Sequence, residues 1–415
     1  MIDWRNVLDW EDNKEQAGFR TKVQSVIEAK LPSRYKKMSK EFFKATPYRW
    51  AIDRNSDNVN ERKDAEEWFN SISEEGWVAP HWPKEFGGGG FSPMEQYIYN
   101  AEMARANVPT VGSNVGIGML GPALIVHGTD DQKSKFLPPI LKGDVVWAQG
   151  FSEPGAGSDL ASLTTRAVRD GDEFVINGQK IWTSHAHYAD NVFMLVRTDP
   201  DAPKHRGISM LVMDIKTPGL SVNPIIDMGW GHHLNETFWE DVRIPADQIV
   251  GEENRGWYVG MTLLDNERSN ITGAINLQRQ IVDMIQYCSE KDAHKSRIGS
   301  FDSVRQEVAE RYIESAVMMN FSLRIITIQD AGQVPNYEAS IAKMFGSEAA
   351  QRTAHTGTKV FGMYSNLWDN EDVRSPMETM FTRDYVRSIP ATIAAGSSEI
   401  QRNVIATRGL GLPRG

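Results

Sequence analysis

The period of the hydrophobic pattern changes twice along these 415 residues, and no other feature restricts the fold so strongly. Up to Val145, apolar residues recur every three or four positions, as in KVQSVIEAKL and DAEEWFNSISEEGW. That is the spacing of helices with one buried face. The run HWPKEFGGGG interrupts it, since proline followed by a glycine run cannot continue a helix. From residue 146 to 251 the spacing turns to alternation, and DEFVINGQKIW, NVFMLVRTD, GISMLVMDI and TFWEDVRIP read as strands between Asp, Pro and Gly turns. Asn177-Gly178 predicts a tight hairpin within the first of these.

From residue 252 helical spacing returns in long segments. NRGWYVGMTLLDNERSNITGAINLQRQIVDMIQYC predicts a long helix with few breakers, and a last helix is expected near Ser398, which has capping-box spacing to Gln401. The order is helices, strands, helices, without the βα alternation of a parallel dinucleotide-binding sheet. The prediction is an α+β chain of three parts: a helical domain at 1–145, an antiparallel β-barrel or sandwich at 146–251, and a helical bundle at 252–415.

Composition narrows the function. A formal net charge of -10 argues against a broad basic surface for nucleic acid. No run approaches the ~18 apolar residues of a membrane span, and the acidic start MIDWRNVLDWEDNKEQ lacks the apolar stretch of a signal peptide. The single cysteine, Cys288, rules out an intrachain disulfide and reads as a packed core thiol. A cytoplasmic protein without a metal ion is expected.

Two segments stand out chemically. In SEPGAGSD, Ser152 to Asp159, glycines allow a ligand close to the backbone, while amides and the hydroxyls of Ser152 and Ser158 offer donors. In GQKIWTS, Trp182 sets an indole beside the hydroxyl of Ser184, a pairing suited to a planar ring with a polar edge. Taken singly, a glycine-rich stretch is most often a turn, and a tryptophan most often core.

Taken together, WAQGFSEPGAGSD, NGQKIWTS, FWEDVRIP, LLDNERSNI and GSSEIQRN resemble, in content and order, the acyl-CoA dehydrogenase family over nearly the whole chain. The resemblance implies a helical N-terminal domain, a β domain and a C-terminal four-helix bundle, assembled as a homotetramer, with a heterotetramer as the alternative. It also implies bound FAD, an acyl-CoA substrate and an electron-transfer flavoprotein as acceptor. By the same resemblance Gln149, Phe151, Ser152, Trp182, Thr183, Ser184, Ser397 and Glu399 meet the cofactor. Ser158, Asp265, Arg268 and the Ala395 amide meet the substrate.

Two departures accompany it. Where many members carry a catalytic glutamate, this chain has Ala395, which cannot take a proton. A smaller set places the glutamate before an arginine on the long helix, and Glu267 before Arg268 fits that variant. Glu267 is therefore the expected base. At the adenine end of FAD, the family's Arg-x-x-Phe-Gly and Gly-Gly-x-Gly-Tyr segments are represented only by KSRIGS, with Ile298 and Gly299, and VFGMYSN, with Gly362 and Met363. Three alternatives stay open: a subunit of a heteromeric dehydrogenase, a relative diverged to oxygenation or elimination, and a thioester-binding scaffold without turnover.

Overall fold

The computed structural model describes residues 11–39, 49–265, 270–290 and 295–413, and the chain forms two compact units. One gathers the N-terminal helices, residues 89–111 and the C-terminal helices; the other holds residues 84–88, the strand block and the helices flanking it.

The first unit opens with α1 (Lys14–Lys30), α2 (Ser33–Ser39), α3 (Arg49–Arg54), α4 (Val59–Glu74) and α5 (Pro93–Arg105). Their starts are written in the local sequence. Asn13 caps α1 while the Gln16 side chain returns to the Asn13 amide, and Ser92 and Glu95 repeat the arrangement at α5 with Pro93 in its first turn. The buried Trp50 and Trp68 indoles each donate to a backbone carbonyl, of Ala65 and Pro109, so neither leaves an unpaired donor in the core.

The second unit begins with α6 (Gly121–His127) and α7 (Asp130–Leu141). Eight strands follow: β1 (Trp147–Gly150), β2 (Arg166–Asp170), β3 (Glu173–Lys180), β4 (Asn191–Arg197), β5 (Ile208–Asp214), β6 (Leu220–Ile226), β7 (His232–Pro245) and β8 (Ile249–Val250), and α8 (Gly256–Asp265) completes it. The sheet runs β6-β7-β3-β2-β4-β5-β8, with β1 paired to β4. Most pairings are antiparallel; β1 with β4 and the single β2–β4 pair are parallel. Phe174, Ile176, Val192, Met194, Leu211, Trp239 and Val242 form its apolar core. Gln132 fastens α7 beside it, donating from Nε2 to the carbonyls of Asp247 and Ile249 at 2.8 and 2.7 Å.

Asn177-Gly178 is not a hairpin turn. β3 passes straight through both residues with a register shift between Ile176 and Gly178, and the turn falls instead at Gly171-Asp172, with Gly171 at φ +63°. The bulge has two causes. Asn177 exchanges hydrogen bonds of 3.0 Å with Asp241 on β7, and a Cβ at Gly178 would lie 2.7 Å from Thr165 Cα. The glycine is required by close approach of another backbone, not by a reversal of the chain. β6 is not legible as a strand in the sequence because Pro224 lies within it; as the terminal strand of the sheet it tolerates a missing donor.

The first unit resumes with α9 (Ile271–Glu290), α10 (Asp302–Asp330), α11 (Tyr337–Phe361), α12 (Met380–Arg387) and α13 (Ser398–Val404). Its core joins Ile98 and Ala101 of α5 to Ile281, Met284, Met318, Ala349, Val360 and Phe381 of these helices, and Cys288 is buried within it. The single long helix expected from Asn254 to Cys288 is two: Asn270 stands at φ +51°, outside helical geometry, between α8 and α9. Among the described residues, no helix is long and apolar enough to cross a membrane.

Candidate functional site

Strand β1 delivers the first group of candidates. Gln149 lies opposite Phe193 in the parallel β1–β4 pairing, and Phe151 packs edge-on against the Phe193 ring at 5.8 Å. The chain then reverses: Glu153 and Ala156 exchange backbone hydrogen bonds of 3.0 Å, which fixes the SEPGAGSD segment as a tight turn. A Cβ placed on Gly155 or Gly157 would meet nothing within 4 Å, so packing does not explain these glycines; they leave open space beside the backbone. Ser158 is exposed at the rim.

Behind this turn lies a buried ion pair that sequence reasoning did not single out. Lys180 Nζ, fully excluded from solvent, is 2.9 Å from Glu153 Oε1 and donates to the Phe151 carbonyl at 3.1 Å. Glu153 also accepts from the Thr164 amide, the Thr164 hydroxyl and the Thr165 amide at 2.7 to 2.9 Å. Burial pulls the Lys180 ammonium down to about 8, against the pull of Glu153. The Glu153 carboxyl is held at about 2: burial works to raise it, but the Lys180 charge and the Thr165 and Thr164 hydrogen bonds prevail. With the Phe151 carbonyl engaged by Lys180 and the Ser152 carbonyl by the Ile181 amide, the Ser152 N–H and hydroxyl are left without a partner among the described residues. Glu153 lies within SEPGAGSD and Lys180 within GQKIWTS, and a charged side chain in a loop or strand ordinarily reads as solvent-facing, so the local sequence carries no signal of the pair.

The second group follows β3. Trp182 is 54% exposed at φ +61°, and His185 stands at φ +63°. Left-handed backbone at bulky residues marks a segment whose shape its surroundings impose. Thr183 between them is buried, and its Oγ1 has no hydrogen-bond partner among the described residues; Ser184 is half-buried. The second unit thus brings together free donors at Ser152, an orphaned hydroxyl at Thr183 and an exposed indole at Trp182. These groups suit a planar heteroaromatic ring with polar edges, and the chain's own residues therefore fit a flavin.

The remaining candidates belong to the first unit. Ala395 takes φ +53° and Gly396 φ +84° in the loop before α13. Lys343 on α11 donates to the Gly396 carbonyl at 2.7 Å, and Gln401 Nε2 reaches the Ala395 and Gly396 carbonyls at 3.2 and 3.3 Å. The loop is therefore held by its carbonyls. The helix cap is Ser397, whose Oγ accepts from the Ile400 amide at 3.4 Å, and not Ser398, which is buried with its hydroxyl unpaired. Gln401 accordingly braces the loop and does not close a capping box. Glu399 lies exposed in the first turn of α13, where its own backbone amide and the Ser397 hydroxyl keep its carboxyl below the usual range.

Asp265 is the last residue of α8, while Glu267 and Arg268 lie outside the described residues. The two segments that depart from the family pattern come together: the Arg297 amide donates to the Val360 carbonyl at 2.8 Å. A groove of about 280 Å³ opens between residues 295–297 and 361–364. Gly362 at φ +54°, ψ -123° turns the chain there, and Met363 is 88% exposed.

An α–β–α chain with a flavin-suited turn and strand end defines a flavoprotein class, and comparison with known proteins agrees in every part. Residues 36–144, 148–242 and 254–410 match the N-terminal, middle and C-terminal domain models of acyl-CoA dehydrogenases. Acyl-CoA dehydrogenase FadE29 of Mycobacterium tuberculosis is 38% identical over 344 residues, covering 83% of this chain and 87% of that one. The Tcur3481-Tcur3483 steroid ACAD superposes with a TM-score of 0.78 at 32% identity, covering 98% of this chain and 100% of that chain. The ChsE4-ChsE5 complex from Mycobacterium tuberculosis gives 0.78 at 31%, with the same coverage.

The chain belongs to the acyl-CoA dehydrogenase family, whose members are FAD-dependent flavoproteins.

Proposed function

We propose that this protein catalyses the FAD-dependent α,β-dehydrogenation of an acyl-CoA thioester to the trans-2-enoyl-CoA. The observation that carries the reading is the joint occurrence, in one unit, of the unpartnered Ser152 donors, the orphaned Thr183 hydroxyl and the exposed Trp182. When bound, the flavin supplies the acceptor for the β-hydrogen as hydride.

The chain's own residues supply the rest. Gln149, Phe151, Ser152, Trp182, Thr183 and Ser184 are assigned to the flavin ring, and Ser397 and Glu399 to FAD. Ser158, Asp265 and Arg268 bind the substrate. The Ala395 amide donates to the thioester oxygen, and the left-handed turn at Ala395 and Gly396, braced by Lys343 and Gln401, sets its direction. Glu267 removes the α-proton. Burial against an apolar thioester raises a carboxylate pKa toward working pH, which suits a general base.

The three sequence parts at 1–145, 146–251 and 252–415 are assigned as the domains, the assembly as a homotetramer in the cytoplasm, and the electron acceptor as an electron-transfer flavoprotein. A second reading, a heteromer, is favoured by one feature: the Ile298-Gly299 and Gly362-Met363 segments depart from the pattern that relatives use toward FAD. The Tcur3481-Tcur3483 and ChsE4-ChsE5 relatives are named as pairs of chains.

The test is anaerobic bleaching of the protein's flavin by a panel of straight, branched and polycyclic acyl-CoA thioesters, with the mass of the assembly measured by light scattering. Bleaching by at least one thioester supports the reading. A flavin-loaded protein that no thioester reduces, alone or with the product of a neighbouring gene, defeats it.

A further inference from the structure

Four of the chain's nine histidines, His185, His187, His232 and His233, fall in two short segments, one following Trp182 and the other beginning β7. Two of them, His187 and His232, contact Asn235, which is completely buried. Asparagine is a poor strand former, and a buried amide is tolerated only where its hydrogen bonds are made. Here both Nδ2 donors and the Oδ1 acceptor are engaged. The Thr183 amide donates to the Asn235 backbone carbonyl at 2.9 Å, and the side-chain Nδ2 donates back to the Thr183 carbonyl at 3.0 Å. Nδ2 also lies 3.1 Å from His187 Nδ1, and His232 Nε2 lies 3.0 Å from Asn235 Oδ1.

The chemistry of these groups assigns the protons at the Asn235 contacts. A carbonyl at Thr183 requires the NH₂ end of the amide on that side. The second Nδ2 hydrogen then points to His187 Nδ1, which accepts, so the His187 proton sits on Nε2. Oδ1 can only accept, so His232 carries its proton on Nε2. The two imidazoles stack with centroids 3.9 Å apart and planes 23° from parallel, which holds both against the amide. Burial and the neighbouring His232 keep His187 below the ordinary histidine range, consistent with a neutral ring that accepts.

We propose that Asn235 is the positioning residue of the Trp182–Ser184 wall: it grips both polar groups of the Thr183 backbone, and His187 and His232 lock its amide in the orientation that does so. The consequence is mechanical. Trp182 and His185 flank Thr183 in left-handed conformations that bulky residues adopt only under constraint, and Asn235 supplies the constraint. It thereby directs the unpartnered Thr183 hydroxyl and the exposed indole. The proposal rests on the reading of this wall as the flavin contact.

The experiment uses the full-length protein with three substitutions. Asn235→Asp keeps the shape and the acceptor toward His232 but removes both Nδ2 donors. Asn235→Ala removes the side-chain half of the clamp, while the bond from the Thr183 amide to the Asn235 backbone carbonyl remains. His187→Phe, at an exposed position, keeps a ring against His232 and deletes only the Nδ1 acceptor. FAD affinity is measured on the apoprotein, followed by the absorption bands of the bound flavin at saturating FAD.

At least tenfold weaker FAD binding and displaced flavin bands are expected in both Asn235 variants. A smaller change in the same direction is expected in His187→Phe, whose apoprotein melts as wild type. A merely structural asparagine would leave the FAD-saturated spectrum unmoved. Wild-type affinity and spectrum in all three variants overturn the proposal while the flavin reading stands. A wild-type protein that binds no FAD overturns both. Should the Asn235 variants fail to fold, His187→Phe decides: a shifted spectrum supports the clamp, and an unshifted one refutes it.

Discussion

Glu153 and Lys180, 27 positions apart in the chain, form a 2.9 Å ion pair with both side chains hidden from solvent, directly behind the turn proposed to meet the flavin. Such a pair is a weak source of net stability, because desolvation offsets the attraction, but loss of one partner strands a buried charge. Its value lies in fixing geometry: the ammonium holds the Phe151 carbonyl inward, so the Ser152 amide is free to face a ligand.

The pair makes the second unit acid-sensitive. In the folded chain the Glu153 carboxyl is held at about 2 against an ordinary 4.5, so the folded form binds fewer protons than the unfolded form between those values. Its stabilising contribution is complete above about 4.5 and is lost as pH falls toward 2. Urea midpoints measured at pH 7, 5, 4 and 3 should fall fastest below pH 4.5. Glu153→Gln should flatten that acid limb; an unchanged limb in the variant would assign acid sensitivity to other carboxylates.

Substitution of Gly178 is expected to destabilise through close contact and through its backbone, which stands at φ +153°. A Cβ there would lie 2.6 Å from Thr165 Oγ1 and 2.7 Å from Thr165 Cα, too close for a side chain and not relieved by a rotamer change, since the second atom is backbone. Gly178→Ala should cost on the order of 1–3 kcal/mol by overpacking. Gly171→Asn, at the hairpin turn, should cost less, because nothing lies within 4 Å and asparagine tolerates a positive φ. Equal losses at the two sites in denaturant melts would contradict the placement of the turn.

The two serines at the start of α13, Ser397 as its cap and Ser398 as its first residue, should respond differently. Ser397→Ala removes the side-chain acceptor for the Ile400 amide and should cost about 1 kcal/mol. Ser398→Ala removes a buried hydroxyl that has no partner among the described residues and should be neutral or slightly stabilising. Thermal melts of the two variants decide the matter, and a larger loss at Ser398 would restore it as the cap.

Glu267→Gln tests the proposed base. The amide keeps the size of the side chain and cannot take the proton, and loss of a positioned base commonly costs ~10²–10⁴ in rate. Anaerobic flavin reduction by substrate should slow at least about a hundredfold with FAD content unchanged. Near-normal reduction would move the base to another residue, and Ala395→Glu in the same background asks whether the loop position reaches the same carbon.

The sequence by itself determined the order of structural classes and the family. Period alone separates helical from alternating regions because each reflects which side chains face a core, a property of a short segment. The motifs SEPGAGSD and GQKIWTS are likewise local strings, and their joint order is specific. Caps made of neighbouring residues, such as Asn13 with Gln16, were equally open to local reading in principle.

Only the tertiary structure decided what depends on distant partners. Asn177-Gly178 carries the strongest short hairpin signal, yet Asp241 and Thr165 convert it into a bulge. Lys180 is hydrophilic by type, yet Glu153 and the Phe151 carbonyl allow its complete burial. Asn235 draws its role from Thr183, 52 positions away, through bonds to the N–H and the carbonyl of a residue that lies between left-handed Trp182 and His185. In each case the deciding energy comes from a group that the local pattern does not contain: a carboxylate for a buried ammonium, a backbone atom where a Cβ would stand, and an amide for a loop that would otherwise relax.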